Sequence, residues 1–349
     1  MPDDRTTDEY TTRVKPTVGV VVDATDDTVG YTFGGRPAIA EVRPGELLRI
    51  RTRDCFGGAV RSVNDLPSKV CTYPYLNPVT GPFHVTGANP GDTLAVHIVS
   101  LTPTTPYGFS STFPHFGALT STPYTPTLQP PLLEQLWPYD IDAAAQVVQY
   151  YARSSDYTVE LPLEPMLGTV GVAPAAGEVR MSIVPDAHGG NLDTPLLRQG
   201  TTLYLGVNEP GALLAFGDGH ARQGDGEASG VAVEVAMDVV CILAVISGVS
   251  TPWPRMETDR YLMSVGIARP LEDAYRISQH DLVTQVGTVT GLDPLDSYQL
   301  VSQAGQARVG NVVDPNYTMV ARIAKRLIGG DSPYGAAHVR LRADATAAW

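Results

Sequence analysis

Two pairs of ionisable side chains, each spaced by one glycine, lie in the segment FGDGHARQGDGE, residues 216–227. Asp218 and His220 form the first pair, and Asp225 and Glu227 form the second. Side chains two positions apart on an extended backbone point to the same side of a strand, so each pair could act on one ligand. Carboxylates and imidazoles hold divalent cations and transfer protons in enzymes.

Two further segments combine such residues with paired glycines. HGGNLD contains His188, Asn191 and Asp193, and RDCFGG contains Asp54. Because glycine adopts positive φ and lets the backbone approach a ligand closely, these segments favour a shared divalent-cation site. A catalytic zinc binds histidine and carboxylate and keeps one position for water, whose pKa it lowers towards about 7. A neighbouring carboxylate can then act as general base and proton donor.

Simpler interpretations of the same residues stay open. An Asp-Gly pair is most often a turn, and a single histidine is more often a hydrogen-bonded polar residue than a ligand. An acidic, glycine-rich loop can also hold a structural calcium ion, although histidine is a poor ligand for calcium.

A nucleophilic enzyme is the catalytic alternative. The sequence contains no Gly-x-Ser-x-Gly motif and no phosphate-binding loop that ends in Lys-Ser/Thr. A Cys–Lys–Glu amidase would need an exposed cysteine. Cys241 lies in an apolar run, and Cys55 adjoins Asp54, whose charge raises the pKa of a thiol. Lys69 and Cys71 are close neighbours and remain candidates for such an enzyme.

Composition and charge narrow the class of protein. A formal net charge of −13 disfavours nucleic-acid binding, and the scarcity of lysine leaves no basic surface for an anionic membrane. The N-terminal residues lack a secretory signal, and the most apolar segment, 231–246, is short and interrupted by Glu234 and Asp238. Three cysteines have no metal-finger spacing. We therefore expect a cytoplasmic protein that binds neither nucleic acid nor membrane.

Strands are the elements expected to position the candidate residues. Apolar and polar residues alternate in ELLRIRTRD (46–54) and DTLAVHIVSL (92–101), as in half-buried strands. The strand entrances RPGELLRI and NPGDTLAV share one pattern, of which RQGTTLYLGV is a degenerate copy. We expect a mainly β fold, a β-sandwich-like core of short antiparallel strands with a few helices, mostly in the C-terminal third.

Three segments are expected to contain helices. The pattern predicts one over 271–291 and one over 293–307, the second capped by Asp296 or Ser297. Segment 132–151 is expected to contain a further helix.

The chain is expected to consist of a flexible arm and one catalytic domain. The arm covers 1–15 and the domain covers 16–340, either as one unit or as two closely packed β subdomains, 16–160 and 161–340. Proline-rich residues 102–130 are expected to form a lid, a binding loop or an interface arm.

Long blocks of the sequence resemble the acetamidase/formamidase family, and they run in one order from about 40 to 325. The blocks are NPVTGPFHVTGANPGDTLAVHI (77–98), LPLEPMLGTVGVAPAAGEVRMSIVPDAHGGNLD (161–193), TTLYLGVNEPGALLAFGDGHARQGDGEASG (201–230) and WPRMETD (253–259). The resemblance implies a β-rich enzyme that hydrolyses small amides to a carboxylate and ammonia. It also implies a divalent cation, zinc or calcium, near the GDGH segment.

The resemblance further implies which residues form the site. The expected metal ligands are Asp54, Asp193, Asp218 and His220. Proton transfer is assigned to Glu227, with Asp225 and His188 as further catalytic residues. The backbone groups expected to bind the substrate or its oxyanion belong to Gly189, Gly190, Asn191 and Gly219.

Departures from the family pattern leave the substrate open. Residues 1–15 and 102–130 have no counterpart in the pattern, and His84 stands where an apolar or aromatic residue is expected. The amide could therefore be larger, or cyclic as in a lactam. The alternative function is a non-catalytic β-sandwich binding protein with a structural metal. We also expect a homo-oligomer, with 231–246 as one possible contact.

Overall fold

The computed structural model describes residues 18–120, 132–330 and 332–348, and most of its regular structure is β. The strands of the first half of the chain are β1 Val18–Val22, β2 Val29–Gly30, β3 Thr32–Phe33, β4 Ala40–Val42, β5 Leu47–Arg51, β6 Val79–Val85, β7 Thr93–Pro103, β8 Tyr107–Thr112, β9 Gln135–Asp142, β10 Val147–Tyr151, β11 Thr158–Pro162 and β12 Met166–Gly171. Those of the second half are β13 Arg180–Met181, β14 Gly189–Asn191, β15 Thr202–Gly206, β16 Leu214–Arg222, β17 Val233–Glu234, β18 Met237–Ile246, β19 Arg255–Glu257, β20 Tyr261–Ala268, β21 Gln306–Val309 and β22 Tyr317–Ala324.

The described strands form two large sheets and one small one. The first sheet has nine strands in the order β1-β5-β18-β7-β15-β19-β20-β22-β21. The second has eleven strands. Eight follow the path β11-β10-β9-β8-β17-β16-β12-β14, β6 pairs with β16, and β2 and β4 pair with β6. Strand β13 pairs with β3. Pairing is antiparallel except between β1 and β5 and between β4 and β6, so the expected mainly antiparallel β fold is confirmed.

The main hydrophobic core lies between the two large sheets. Strand β7 shows how the sequence builds it, because Leu94, Val96 and Ile98 belong to this core whereas Ala95 and His97 face the opposite side of the strand. Side chains alternate across a strand, so the alternation read from the sequence selects the buried face.

Both large sheets combine strands from before and after residue 160. Strands β1, β5 and β7 pair with later strands in the nine-stranded sheet, and β6 and β8 pair with later strands in the other. A boundary near 160 therefore does not separate the sheets.

The longer helices cover the outer face of the nine-stranded sheet. The helices are α1 Pro67–Val70, α2 Leu271–Thr290, α3 Pro294–Ala304 and α4 Ala337–Ala348, with 3₁₀ turns at Ala175–Gly177 and Lys325–Leu327. Helix α2 packs on β20 and β22, and α4 packs on β7 and β18. Gly266 permits the close approach of α2, since a Cβ atom there would collide with the carbonyl of Ala274. None of the described helices has the length and apolar character needed to cross a membrane.

Several local predictions are confirmed and others are wrong. Helix α2 ends at Gly291, whose φ is 72°. Helix α3 forms as expected, but its cap is Asp293, whose carboxylate accepts hydrogen bonds from the N–H groups of Leu295 and Asp296 at 2.8 and 2.9 Å. The helix expected within 132–151 is absent, because β9 and β10 form a hairpin there.

The proline-rich segment is only partly a loop. Strand β8 pairs with β9 and β17, so 107–112 is part of the eleven-stranded sheet. Residues 121–131 and the N-terminal arm lie outside the described residues.

The repeated strand entrance has one structure in all three copies. Gly45, Gly91 and Gly200 have φ of 86°, 94° and 83°, and each precedes a strand of the nine-stranded sheet. Only glycine adopts such φ values without strain, which explains the shared pattern.

A chain of hydrogen bonds joins β7 to the C-terminal helix. Nε2 of His338 lies 3.2 Å from Oδ1 of Asp259, so neutral His338 donates there and its Nδ1 accepts from the Thr202 hydroxyl at 2.8 Å. The Thr202 oxygen then accepts from Nδ1 of His97 at 2.9 Å. Burial, and next the nearby His338, lower the pKa of His97 from 6.5 to about 4.

We expect this chain to make docking of α4 sensitive to acid. The unfolded chain binds a proton at His97 below pH 6.5, whereas the folded chain does so only near pH 4. The free energy of unfolding should therefore fall by about 3 kcal/mol as the pH is lowered from 6.5 to 4. The measurement is urea unfolding at pH 7.0 and 4.5, in which His97→Gln should lose less stability than the unsubstituted protein. Exposed His280→Gln is the control, and an equal loss in all three proteins would contradict the prediction.

Candidate functional site

A buried group of acids gathers where β14, β12, β16 and β17 lie side by side. Asp218 and His220 lie on β16, Glu234 lies on β17 and Asp193 follows β14. Each of these residues is at most 4 % exposed. Asp218 and His220 point to the same side, as their spacing predicted, with Nε2 of His220 3.2 Å from Oδ1 of Asp218.

Strand pairing places the acids close to one another. Glu234 lies directly opposite His220, and their facing atoms are 3.3 Å apart. Gly168 of β12 lies opposite Asp218, between the paired residues on either side. A Cβ atom on Gly168 would collide with Oδ1 of Asp193 and Oδ2 of Asp218. The absence of a side chain at Gly168 therefore creates the space that both carboxylates occupy.

Three acids of the group have a left-handed backbone. The φ angles are 41° at Asp193, 59° at Asp218 and 47° at Glu227. Such conformations cost about 1–3 kcal/mol each and persist only where the surrounding structure imposes them. Their concentration on the acids indicates that the fold sacrifices stability to aim these side chains.

His220 is held with one nitrogen facing the acids. The Gln223 amide is oriented by its Nε2, which donates to the carbonyl of Asp193 at 2.7 Å, so its Oε1 accepts from Nδ1 of His220 at 2.9 Å. In the neutral ring that a bound cation would require, the lone pair of Nε2 therefore faces Asp218 and Glu234. Burial alone lowers the pKa of His220, but the charges of Glu234 and then Asp218 outweigh it and hold the pKa well above its usual value.

Four buried atoms of the group have no hydrogen-bond partner. They are Oδ1 of Asp193, Oδ1 of Asp218, Nε2 of His220 and Oε2 of Glu234. Nε2 of His220 lies 4.0 Å from Oδ1 of Asp193. The ligand atoms of Asp193, His220 and Glu227 lie within 4.8 Å of one another, as do those of Cys55, Asp218 and Glu234. Buried lone pairs that face one another in this way suit a cation between them.

Amide side chains orient the other carboxylate oxygens. Nδ2 of Asn191 donates to Oδ2 of Asp193 at 2.6 Å and to Oδ2 of Asp314 at 2.9 Å. Asn77 donates to Oδ2 of Asp218 at 3.0 Å and to Oδ1 of Asn191 at 3.2 Å. The hydroxyl of Thr169 also donates to Oδ1 of Asn191. The Asn191 side chain is therefore committed to holding the acids in place.

Burial favours protons on several of these acids. It raises the pKa of Glu227 well above its usual value, and the charge of Asp193 adds to the shift. The pKa of Asp314 rises in the same way, first by burial and then by Asp193. Burial raises the pKa of Asp193 to about 6 and that of Glu234 to about 7; the charge of Asp218 adds to both shifts, and that of His220 opposes both.

The group forms the polar end of a cavity of about 480 Å³. The polar end includes Asn77, Asp193, Asp218, Glu227 and Asp314, while most of the remaining lining is apolar. Such a cavity can hold a small organic molecule against the acids.

Some of the residues expected at the site lie elsewhere. Asp225 is at the surface, where its side chain is 43 % exposed and pairs with Arg308, and it does not extend the buried group. The turn around Gly226 is not extended, so the spacing rule that holds for Asp218 and His220 does not apply to Asp225 and Glu227.

His188 has its own surroundings. Its ring lies edge-on against Phe33 at 5.2 Å. Burial lowers its pKa to about 4, and the charges that act on it belong to Asp186, Arg180 and Glu178. None of these charges comes from the acid group. The Nε2 atom of His188 is buried without a hydrogen-bond partner, and its catalytic role stays a prediction.

Asp54 forms a turn instead of joining a ligand group. Its Oδ1 accepts from the N–H groups of Phe56 and Gly58, both at 2.9 Å. The ligand groups found among the described residues contain Asp193, Asp218 and His220 but not Asp54. Burial, and to a smaller extent the charge of Asp218, raise the pKa of Asp54, so Asp54 lies near the group and its role as a ligand stays a prediction. Glu234, which was not expected as a ligand, belongs to one of the ligand groups.

The expected oxyanion glycines serve packing. The N–H of Gly189 already donates to the carbonyl of Asp186 at 2.9 Å. A Cβ atom on Gly190 would collide with the carbonyl of Val184, and one on Gly219 would meet Met237. These glycines let strands and loops pass closely, which the sequence alone does not separate from ligand binding.

The cysteines are free and poorly suited to nucleophilic attack. Burial raises the pKa of Cys55 well above its usual value, and the charges of Glu234 and Asp218 add to it. Burial raises the pKa of Cys71 to about 11. A thiol that stays protonated is a weak nucleophile.

Comparison with known proteins identifies the family. The model of the "Acetamidase/Formamidase family" matches residues 35–181 and 170–326. The chain belongs to the acetamidase/formamidase family.

Solved acetamidases share the fold. An acetamidase from Yersinia enterocolitica is 39% identical, with a TM-score of 0.84 over 90% of this chain and 94% of that one. An acetamidase from Bacillus halodurans is 30% identical, with a TM-score of 0.78 over 88% of this chain and 97% of that one. A curated formamidase from Methylophilus methylotrophus is 27% identical over 55% of this chain and 57% of its own length. The match thus spans little more than half the length of the curated relatives.

The Gly168→Ala substitution should displace the acids. We expect a loss of about 1–3 kcal/mol in the free energy of unfolding, because the new methyl group overlaps one buried carboxylate oxygen of Asp193 and one of Asp218. Urea unfolding measures it. Gly224→Ala is the control, since nothing lies within 4 Å of a Cβ atom there. Equal stability of both variants would show that the carboxylates do not occupy this space.

The Glu227→Gln substitution should stabilise the cation-free protein. A buried acid with a raised pKa favours unfolding once the pH exceeds the pKa of that acid in the unfolded chain, so removing it should raise the free energy of unfolding at pH 8. Unfolding in the presence of a chelator measures this, with exposed Asp225→Asn as control. A destabilised Glu227→Gln protein would contradict the repulsion described here.

Proposed function

We propose that this protein is a metal-dependent hydrolase of non-peptide amides that produces a carboxylate and ammonia. The observation that carries the proposal is the group of four unpartnered buried ligand atoms at the polar end of a cavity. Membership of the acetamidase/formamidase family supports the reaction class.

The residues present fit a divalent cation. Asp193, Asp218, His220 and Glu234 would hold it, because each aims an otherwise unsatisfied atom at the others. Without a cation, the carboxylate charges repel one another. A bound cation would replace this repulsion with attraction. The imidazole ligand favours zinc over calcium, since calcium prefers oxygen alone. Bound zinc would polarise the amide carbonyl and make a water molecule more acidic.

Glu227 is suited to deliver the proton that the departing nitrogen needs. It lines the cavity, and burial raises the pKa of its carboxyl group, which favours the protonated form that a proton donor needs. Asp314 lines the same cavity with a raised pKa, but Asn191 fixes one of its oxygens. We therefore assign proton transfer to Glu227.

The same buried geometry favours the cation over a cysteine enzyme. Cys55 reaches the acid group, but Glu234 and Asp218 oppose formation of its thiolate. Lys69, the lysine considered for such an enzyme, is exposed on the short helix α1.

A cytoplasmic location and a homo-oligomeric state stay part of the proposal.

Metal content and ammonia release test the function together. Purified protein should contain zinc and release ammonia from acetamide or formamide, and dialysis against a chelator should abolish turnover until zinc is returned. The Asp193→Asn protein should lose the metal, and its kcat/KM should fall at least about 100-fold, as when other enzymes lose a group that stabilises the transition state electrostatically. The Asp225→Asn protein should retain both the metal and the activity. Full turnover with less than one ion per chain would refute the metal, and ligand binding without turnover would favour a binding protein.

A further inference from the structure

We propose that the preferred substrates are primary amides with a bulky apolar acyl group, such as a longer alkyl chain or an aryl ring. This inference rests on the proposed amide hydrolysis. It names the substrate class from the part of the cavity that lies beyond the acids.

Three separate segments build the apolar wall of the cavity. Phe56 and Leu76 come from the segment after β5, Phe113 and Phe116 follow β8, and Val312 and Val313 precede β22. Phe56 and Val313 are at most 9 % exposed. Binding becomes more favourable when an apolar group of the substrate is buried against such a wall. A substrate that consists of the amide alone has no group to bury there.

The cavity has more room than the amides named in the family would occupy. Cavities of roughly 300–1,000 Å³ typically enclose drug-sized ligands, and this one has about 480 Å³. Formamide and acetamide carry at most a methyl group beyond the reacting amide. An acyl group that fills the apolar end would also displace water from the reacting end.

The aromatic part of the wall is held in place beside the proposed proton donor. The N–H of Phe116 donates to the carbonyl of Phe113 at 3.1 Å, and that of Ala118 donates to Ala228 at 2.9 Å. The Phe116 ring fills the space that a side chain at Gly230 would need. The N–H of Gly230 donates to the carbonyl of Glu227 at 2.7 Å. A substrate that contacts this wall is thus held next to Glu227.

A homologous series of amides tests the inference. Ammonia release is measured for acetamide, butyramide, hexanamide and phenylacetamide with the zinc-loaded protein. We expect kcat/KM to rise about fourfold for each added methylene until the cavity is full. The gain should appear mainly as a lower KM, because the wall contacts the substrate equally in the ground state and the transition state. The lining also includes Arg269, whose guanidinium stacks on the Tyr317 ring at 4.6 Å, and His115. Glutaramic acid, which ends in a carboxylate, therefore tests whether these groups or the apolar wall select the acyl group, and it should be a poorer substrate than hexanamide.

Wall variants separate a specificity role from a structural one. Phe113→Ala should lower the ratio of kcat/KM for hexanamide to that for acetamide at least tenfold. Ile183→Trp, which fills the cavity from another side, should lower the same ratio. Leu119→Ala is the matched control, because Leu119 is 86 % exposed beside the wall, and it should leave the ratio unchanged. Thermal unfolding and zinc content confirm that each variant is folded.

The outcomes distinguish the two proposals. Turnover of acetamide that equals or exceeds that of hexanamide would overturn the substrate class and leave amide hydrolysis intact. Faster turnover of glutaramic acid than of hexanamide would also overturn it, in favour of an acidic substrate. Turnover of none of these amides would overturn both the function and the inference.

Discussion

Electrostatic repulsion among buried carboxylates is the constraint on which the site depends. Asp193, Asp218, Glu227, Glu234 and Asp314 are at most 7 % exposed and surround one imidazole, that of His220. Unpaired charges are costly away from water, so such a group needs protons, hydrogen-bond donors or a cation. The chain supplies all three responses: raised carboxyl pKa values, amide donors, and an arrangement of lone pairs that a divalent cation would satisfy. The protons and the amide donors satisfy only part of the group, and four of its buried polar atoms have no hydrogen-bond partner.

A large, regular sandwich allows the chain to maintain this costly arrangement. The acids come from segments that are far apart in sequence, and three of them have strained backbones. Long strands such as β7, β16 and β18 and a continuous core between the sheets provide the stability that the site removes. Functional sites commonly violate local structural preferences in this way and depend on the rest of the fold. Gly168 has the same effect, because a central strand lacks a packed side chain at this position and two carboxylates can therefore approach.

The sequence predicts those features that depend on neighbouring residues. Alternation revealed β5 and β7, and acidic residues at the start with a glycine beyond the end revealed α2. Glycine spacing pointed to Asp218 and His220 because they lie on a real strand, and it misassigned Asp225 because that segment is a turn. A charged residue within an apolar strand was the available signal for Glu234. Strand register brings Gly168 opposite Asp218, and a distant hairpin loop contributes Asp314, so neither could be found from local pattern alone.

One turn connects substrate binding to proton transfer in this fold. Glu227 lies in a turn that bonds to both sides of the cavity: Gly226 exchanges backbone hydrogen bonds with Gly310 and Val312, both at 3.0 Å, and Ala228 accepts from Ala118 at 2.9 Å. A shift of either apolar wall would therefore move the carboxyl group that faces the acids. Because proton transfer depends steeply on distance and alignment, contacts remote from the reacting amide can influence the chemical step. The hydrogen bonds to both walls therefore fix the position of the turn that carries Glu227, the proposed proton donor, while the apolar end of the cavity serves binding.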